Sequence, residues 1–333
     1  MPMNKVKLAL LAAAIAALAA ASVAAAGTNL SLVGYSTPKA VMAKIIQAWQ
    51  QTPDGKDTSF SQSYGASTDQ ARAVANGLKA DLVFLSTGDD VNLLVDAGLV
   101  DSKWNRQAYD GIAADTVVVF AVRNGNPKHI KGWNDLIRPG VQVLTPNPFS
   151  SGSAKWNVLA AYGAQRRLGK TDKQATAYVQ QLFKHVVSQD TSGRNATNTF
   201  LAGKGDVLIT YESEALNARL NGQDIQYVIP RQSMLIELPI AVLKNSSNKD
   251  VANKFIQFVK APAAQALFAQ FGFRPVNAKV AKSYPDKFPS RPGIFKVDDK
   301  IIGGWRHADA LWFDPNKGRM AQIERAVGGP TSG

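Results

Sequence analysis

The sequence predicts an α/β fold in two lobes, and three observations carry that expectation. Short apolar strands alternate with amphipathic helices from residue 30 onward, the pattern of parallel strands covered by helices. A β-branched run at 116–123 and a long apolar strand at 236–243 bracket a complete middle α/β unit, so the chain crosses between lobes twice. The length of 333 residues suits two lobes of roughly 100–200 residues each. The expected division is a first lobe from residues 27–117 and 238–333 and a second from 118–237.

Residues 1–26 stand apart. Lys5 and Lys7 form a short basic region, an Ala- and Leu-rich run follows over 6–21, and Ser22-Val23-Ala24-Ala25-Ala26-Gly27 offers the small residues a signal peptidase reads. These are the three parts of a secretory signal peptide, cleaved near Ala26-Gly27. As a membrane anchor the run is short, and no basic stop follows it.

The mature chain opens with a strand at 30–33 and a helix at 39–51. Val41, Ile45 and Trp49 sit four apart with Met42 and Ile46 beside them, which makes one apolar face. Pro38 starts the helix, where its missing N–H costs nothing. The unit recurs as strand 60–64, turn 65–67 and helix 68–78, then as strand 82–85, turn 86–88 and helix 89–97. Residues 116–123, TVVVFAVR, read as a buried strand. The pattern restarts with strand 141–144, helices 152–168 and 173–185, strand 207–211, helix 212–220, strand 236–243 and helices 249–259 and 263–271. From Asn277 the chain is mixed, with prolines at 285, 289 and 292 and the aromatics Trp305, Trp312 and Phe313. This tail is expected to wrap the surface.

Hydrophobic residues make up 45% and charged residues 19%, the balance of a folded globular chain. No cysteine is present, which excludes a lipid-modified cysteine and thiolate zinc sites. The net charge is +13, and loss of Lys5 and Lys7 leaves +11. The basic residues are scattered, the densest cluster being Arg166-Arg167 with Lys170 and Lys173. With an exported location this argues against nucleic acid, while the positive field draws in anions.

No enzyme constellation stands out. His129, His185 and His307 lie far apart without ligand spacing, and no G-x-S-x-G elbow occurs. GAQRRLGKT at 163–171 has five residues between its glycines, not four, and follows a helix, so it is not a phosphate-binding P-loop. Nothing calls for a metal or cofactor.

A different pattern recurs. Four strand-to-helix turns are rich in Ser, Thr and Gly: Tyr35-Ser36-Thr37, Tyr64-Gly65-Ala66-Ser67-Thr68, Ser150-Ser151-Gly152-Ser153 and Thr191-Ser192-Gly193-Arg194-Asn195. Helix N-termini present unpaired N–H groups and partial positive charge, hydroxyls add donors, and glycine admits close approach. Each turn alone is also an ordinary N-cap. Four in one chain, two per lobe, point to one shared anion site at the strand ends.

The stretch Arg123-Asn124-Gly125-Asn126-Pro127-Lys128, with Trp133-Asn134-Asp135-Leu136, Pro139-Gly140-Val141, Thr145-Pro146-Asn147-Pro148, Ser150-Ser151-Gly152 and Trp156-Asn157, resembles the sulfate-binding proteins of bacterial ABC importers. So do Thr197-Asn198-Thr199-Phe200 and Gly205-Asp206-Val207-Leu208-Ile209 with Glu212 and Glu214. The resemblance spans essentially the whole mature chain. It implies the two-lobed periplasmic binding protein fold (type II), each lobe a mixed sheet flanked by helices around a cleft. It also implies a periplasmic receptor that is not an enzyme, with a membrane permease and an ATPase as partners, and a monomer is the default for such a freely diffusing shuttle. Carried over by motif, the ligand-binding residues are Ser67, Ser151, Gly152, Ser153 and Gly193, with Arg194 as a buttress and Tyr211 as the strand-end aromatic. The first loop of the family often carries an aspartate where this chain has Ser36 and Thr37. SSGS stands here for SSGG, and Tyr211 for a tryptophan. These departures keep the anion chemistry and leave sulfate, thiosulfate and other oxyanions open. A phosphate or molybdate receptor of the same fold is the alternative, and an exported ester hydrolase the alternative from another class.

Overall fold

The computed structural model describes residues 27–289 and 291–333, so the signal peptide expected over 1–26 lies outside the described residues. β1 (Thr28–Tyr35) leads to α1 (Lys39–Trp49), β2 (Thr58–Gly65) to α2 (Ser67–Ala75) and β3 (Leu82–Phe84) to α3 (Gly88–Asp96). The long β4 (Ile112–Arg123) follows, then β5 (Val143–Leu144), α4 (Gly152–Arg167), α5 (Asp172–Phe183), β6 (Val186–Ser188) and α6 (Gly193–Leu201). Next come β7 (Val207–Tyr211), α7 (Glu212–Leu220), β8 (Ile225–Val228) and the long β9 (Ser233–Val242). The chain ends through α8 (Lys249–Lys260), α9 (Pro262–Gln270), one-turn α10 (Ala278–Ala281), β10 (Ile294–Phe295), one-turn α11 (Trp305–Ala308) and α12 (Arg319–Val327).

The strands form a curled ten-stranded sheet in the order β2-β1-β3-β9-β4-β7-β5-β6, with β10 beside β9 and β8 beside β4. β1 runs parallel to β2 and β3, and β5 runs parallel to β6 and β7. β4 and β9 are antiparallel and join these halves. Val117 of β4 faces Leu235 of β9, then Val118 passes on to Tyr211 of β7, while Ile240 of β9 passes on to Phe84 of β3. Each of these two strands pairs with both halves of the sheet. Val117 to Val122 are buried on both faces, which is why this run is apolar without alternation.

Both parallel half-sheets send a helix away from each strand end, so helix N-termini collect along one edge of each half. The helices hold that edge by their apolar faces. α1, for example, buries Val41, Met42, Ile45, Ile46 and Trp49. The tail does not merely wrap the surface. Phe295, Trp312 and Met320 are buried. The Trp312 ring lies 4.9 Å from that of Tyr162 in α4, and Arg319 holds Asp172 of α5 at 2.8 Å.

Candidate anion-binding site

The heads of α1, α2, α4 and α6 converge on one small cavity between the half-sheets. Thr37 precedes α1, Ser67 starts α2, Ser151 caps α4 and Ser192 caps α6. Ser36, Thr37, Ser67, Ser151, Gly152, Ser153 and Gly193 all line the cavity, as expected positions, and Tyr35, Ala66, Ser86 and Ser192 complete its wall. A water centre can move through about 10 Å³ of it, so the walls leave room for one small solute and little more.

No charged side chain lines the cavity among the described residues. The donors are helix-end N–H groups and hydroxyls. In α4, Ala154 N–H closes back on Ser151 at 3.1 Å and no side chain caps the helix, which leaves the Gly152 and Ser153 N–H groups at its head. In α6 the Ser192 hydroxyl takes the Asn195 N–H at 3.2 Å, leaving Gly193. In α2 the Thr68 N–H reaches Ser150 O at 3.1 Å, leaving Ser67. None of α1, α4 and α6 has an acidic residue in its first turn, so their positive ends stay uncompensated. α2 has Asp69, but that side chain is 45% exposed and faces Arg72 at 3.5 Å.

Close approach of the helix heads requires glycine. A Cβ on Gly193 would meet Ser153 at 3.1 Å, and one on Gly152 would meet Ser86 Oγ at 2.8 Å. Two hydroxyls in the wall region, Tyr35 OH and Thr37 Oγ1, are buried beside one another and make no well-formed hydrogen bond among the described residues. A buried donor left unpaired is costly, and an acceptor in the cavity would relieve both.

Three expected ligand residues have more specific placements. The Ser67 hydroxyl donates to Asp90 at 2.6 Å and accepts the Ser86 N–H at 2.8 Å. Its proton is committed, so Ser67 offers the cavity its main-chain N–H. Arg194 does not line the cavity. Its guanidinium donates to Glu214 at 2.6 Å and to Thr37 O at 3.1 Å, tying α6 to the loop before α1. Burial pushes the Glu214 carboxyl up, and Arg194 offsets part of that. Tyr211 is fully buried behind the wall, its phenol oxygen 2.5 Å from Ser86 Oγ. Ser86 was missed as a site residue, although its Ser86-Thr87-Gly88 turn repeats the grammar of the other four. The rejected P-loop run at 163–171 begins inside α4.

Lys155, one turn into α4, is 5% exposed at its side chain and holds Asp89 at 2.5 Å and Asp309 at 3.0 Å. Burial alone would lower its ammonium, but Asp89, Asp90 and Asp309 together hold it well above its ordinary value. This cluster joins α3, α4 and the tail beside the cavity.

Residues 30–274 match the family described as bacterial extracellular solute-binding protein. The chain belongs to this family. Like its relatives, this solute-binding protein is not an enzyme. It is 39% identical to the sulfate-binding protein of Salmonella typhimurium, an alignment that covers 85% of this chain and 88% of that one. It is 36% identical to the thiosulfate-binding protein of Escherichia coli, over 91% and 92% of the two chains. The solved structure of the sulfate-binding protein SubI from Mycobacterium tuberculosis superposes with a TM-score of 0.83 at 43% identity, covering 86% of this chain and all of that one.

Proposed function

We propose that this protein is the periplasmic receptor of a bacterial ABC importer and that it captures sulfate between two lobes. The observation that carries this reading is the cavity wall of neutral donors without a carboxylate. Sulfate at neutral pH has no proton and needs donors only. Phosphate keeps at least one proton, which needs an acceptor. Leaving that proton unpaired in a dry cavity costs about 1–3 kcal/mol, a range whose midpoint is already more than tenfold in affinity. The names of the relatives support sulfate, and one of them supports thiosulfate as the second ligand to test.

The lobes divide where β4 and β9 cross, near residues 117 and 237. Residues 294–333 pack on α4 and α5 of the second lobe and also reach the first, where Arg306 holds Asp96 of α3 at 2.9 Å. The N-terminal 26 residues serve as the leader. The mature protein is a monomer that delivers its ion to a membrane permease and its ATPase.

Calorimetric titration of the mature protein with sulfate, thiosulfate, phosphate and molybdate at pH 5 and pH 8 tests the reading. Sulfate should bind at least tenfold tighter than phosphate at both pH values. Phosphate binding as tightly as sulfate, or no sulfate binding, would refute it.

A further inference from the structure

Tyr211 is the aromatic expected to reach the anion, yet a serine stands between it and the cavity. Ser86 follows β3 and is 1% exposed. Its position is fixed at three points. Its N–H donates to Ser67 Oγ at 2.8 Å, its carbonyl accepts the Trp156 indole N–H at 2.8 Å, and its Oγ lies 2.5 Å from the Tyr211 phenol oxygen. Ser86 lines the cavity and Tyr211 does not.

Of the two oxygens at 2.5 Å either could donate. Burial pushes the Tyr211 phenol up, so it keeps its proton across the physiological range. That proton must go to an acceptor within the wall. The Ser153 hydroxyl also adjoins the phenol, but the 2.5 Å contact marks Ser86 as its principal partner. The neighbouring Ser67 cannot serve as the hydroxyl donor on this side, because its O–H already donates to Asp90, a carboxylate that accepts only.

We propose that Ser86 is the hydroxyl that contacts the anion and that Tyr211 is its positioning residue: the phenol O–H donates to Ser86 Oγ, and the Ser86 proton turns into the cavity. A hydroxyl that accepts a hydrogen bond becomes a stronger donor, so the pair acts as a two-step chain ending on the ligand. The proposal rests on the sulfate reading above.

Sulfate titration of the wild type, Ser86→Ala, Tyr211→Phe and the double variant tests it, with melting of each ligand-free protein as the fold control. Ser86→Ala should weaken sulfate binding about ten- to a hundredfold. Tyr211→Phe should weaken it about three- to tenfold, and the double variant should match Ser86→Ala within about twofold, because the phenol acts through Ser86. Should Ser86→Ala fail to fold, Ser86→Cys keeps the bulk with a weak donor and should show the same loss of the Tyr211 effect. Multiplying effects in the double variant, or a Ser86 variant that binds as tightly as the wild type, would overturn the proposal. A wild type that does not bind sulfate would overturn the sulfate reading, and this proposal with it.

Discussion

Gly152→Ala should weaken sulfate binding while making the ligand-free protein slightly more stable. The added methyl would lie 2.8 Å from Ser86 Oγ, 2.9 Å from Ser86 Cβ and 3.0 Å from Thr87 Cγ2. Ordinary carbon contacts sit at about 3.5–4.0 Å, so the Ser86-Thr87 turn must retreat by about 0.5–1 Å. It cannot do so locally. Leu85 N–H is bonded to Pro239 O at 3.0 Å, Ser86 O to Trp156, and the Thr87 hydroxyl caps α3. The retreat therefore falls on the approach of the lobes, and overpacking of this kind costs about 1–3 kcal/mol, or about five- to 150-fold in affinity. With the lobes apart the clash is gone. Gly152 has no positive φ, so alanine in this helical turn should stabilise the ligand-free protein by about 0.4–1 kcal/mol. The N–H donor at position 152 is retained, which isolates the steric effect. Calorimetry with sulfate and a thermal melt without it give the two signs. Wild-type affinity would refute the closure argument, and a lower ligand-free melting temperature would show that the lobes stay together without ligand.

Tyr35→Phe removes a buried hydroxyl whose polar neighbour is the Thr37 hydroxyl; sulfate affinity should fall about tenfold while ligand-free stability holds within about 1 kcal/mol, and unchanged affinity would place that hydroxyl outside the site. Arg194→Met leaves the buried Glu214 carboxylate without its cation and should cost about 3 kcal/mol in urea denaturation, with Glu214→Gln in the same chain restoring most of it. Glu324 is fully buried, and burial pushes its carboxyl up to about 7. A raised carboxyl contributes stability that is complete below its unfolded value, near pH 4, and is lost as pH rises to about 7. Glu324→Gln should therefore be nearly neutral at pH 4 and stabilising by up to about 3 kcal/mol at pH 8, since its amide can also pair the unpartnered Gln189 Oε1. An equal effect at both pH values would refute that account.

The strand-to-helix turns were legible because their chemistry is local. Ser, Thr and Gly at the head of a helix mean the same thing wherever the helix goes, which marks the four turns, while Ser67, Gly152 and Gly193 within them follow from the family resemblance. The long strands were legible from composition, since Val117 to Val122 are apolar on both faces. Contacts between distant segments were not. Nothing near Lys155 in sequence announces Asp89 and Asp309, and nothing near Ser67 says that its hydroxyl donates to Asp90. β6 and β8 are short, partly exposed strands, too weakly patterned to stand out. The tail was misjudged because prolines and glycines break its pattern, although Met320 and Ile323 already share a face of α12.

Among the described residues the wall has no carboxylate, imidazole or amine, which also bears on the electrical character of the proposed capture. The one phenol in it, Tyr35, is pushed well above its ordinary value by burial first of all, so it stays neutral throughout. Loading a dianion would then move two units of charge onto the protein and exchange no protons. The measured heat should be the same in buffers of very different ionisation enthalpy. The leaderless chain, at +11 when empty, should migrate measurably more slowly towards the cathode once filled. Capture of this kind would be silent to the surrounding pH and audible only to an electric field.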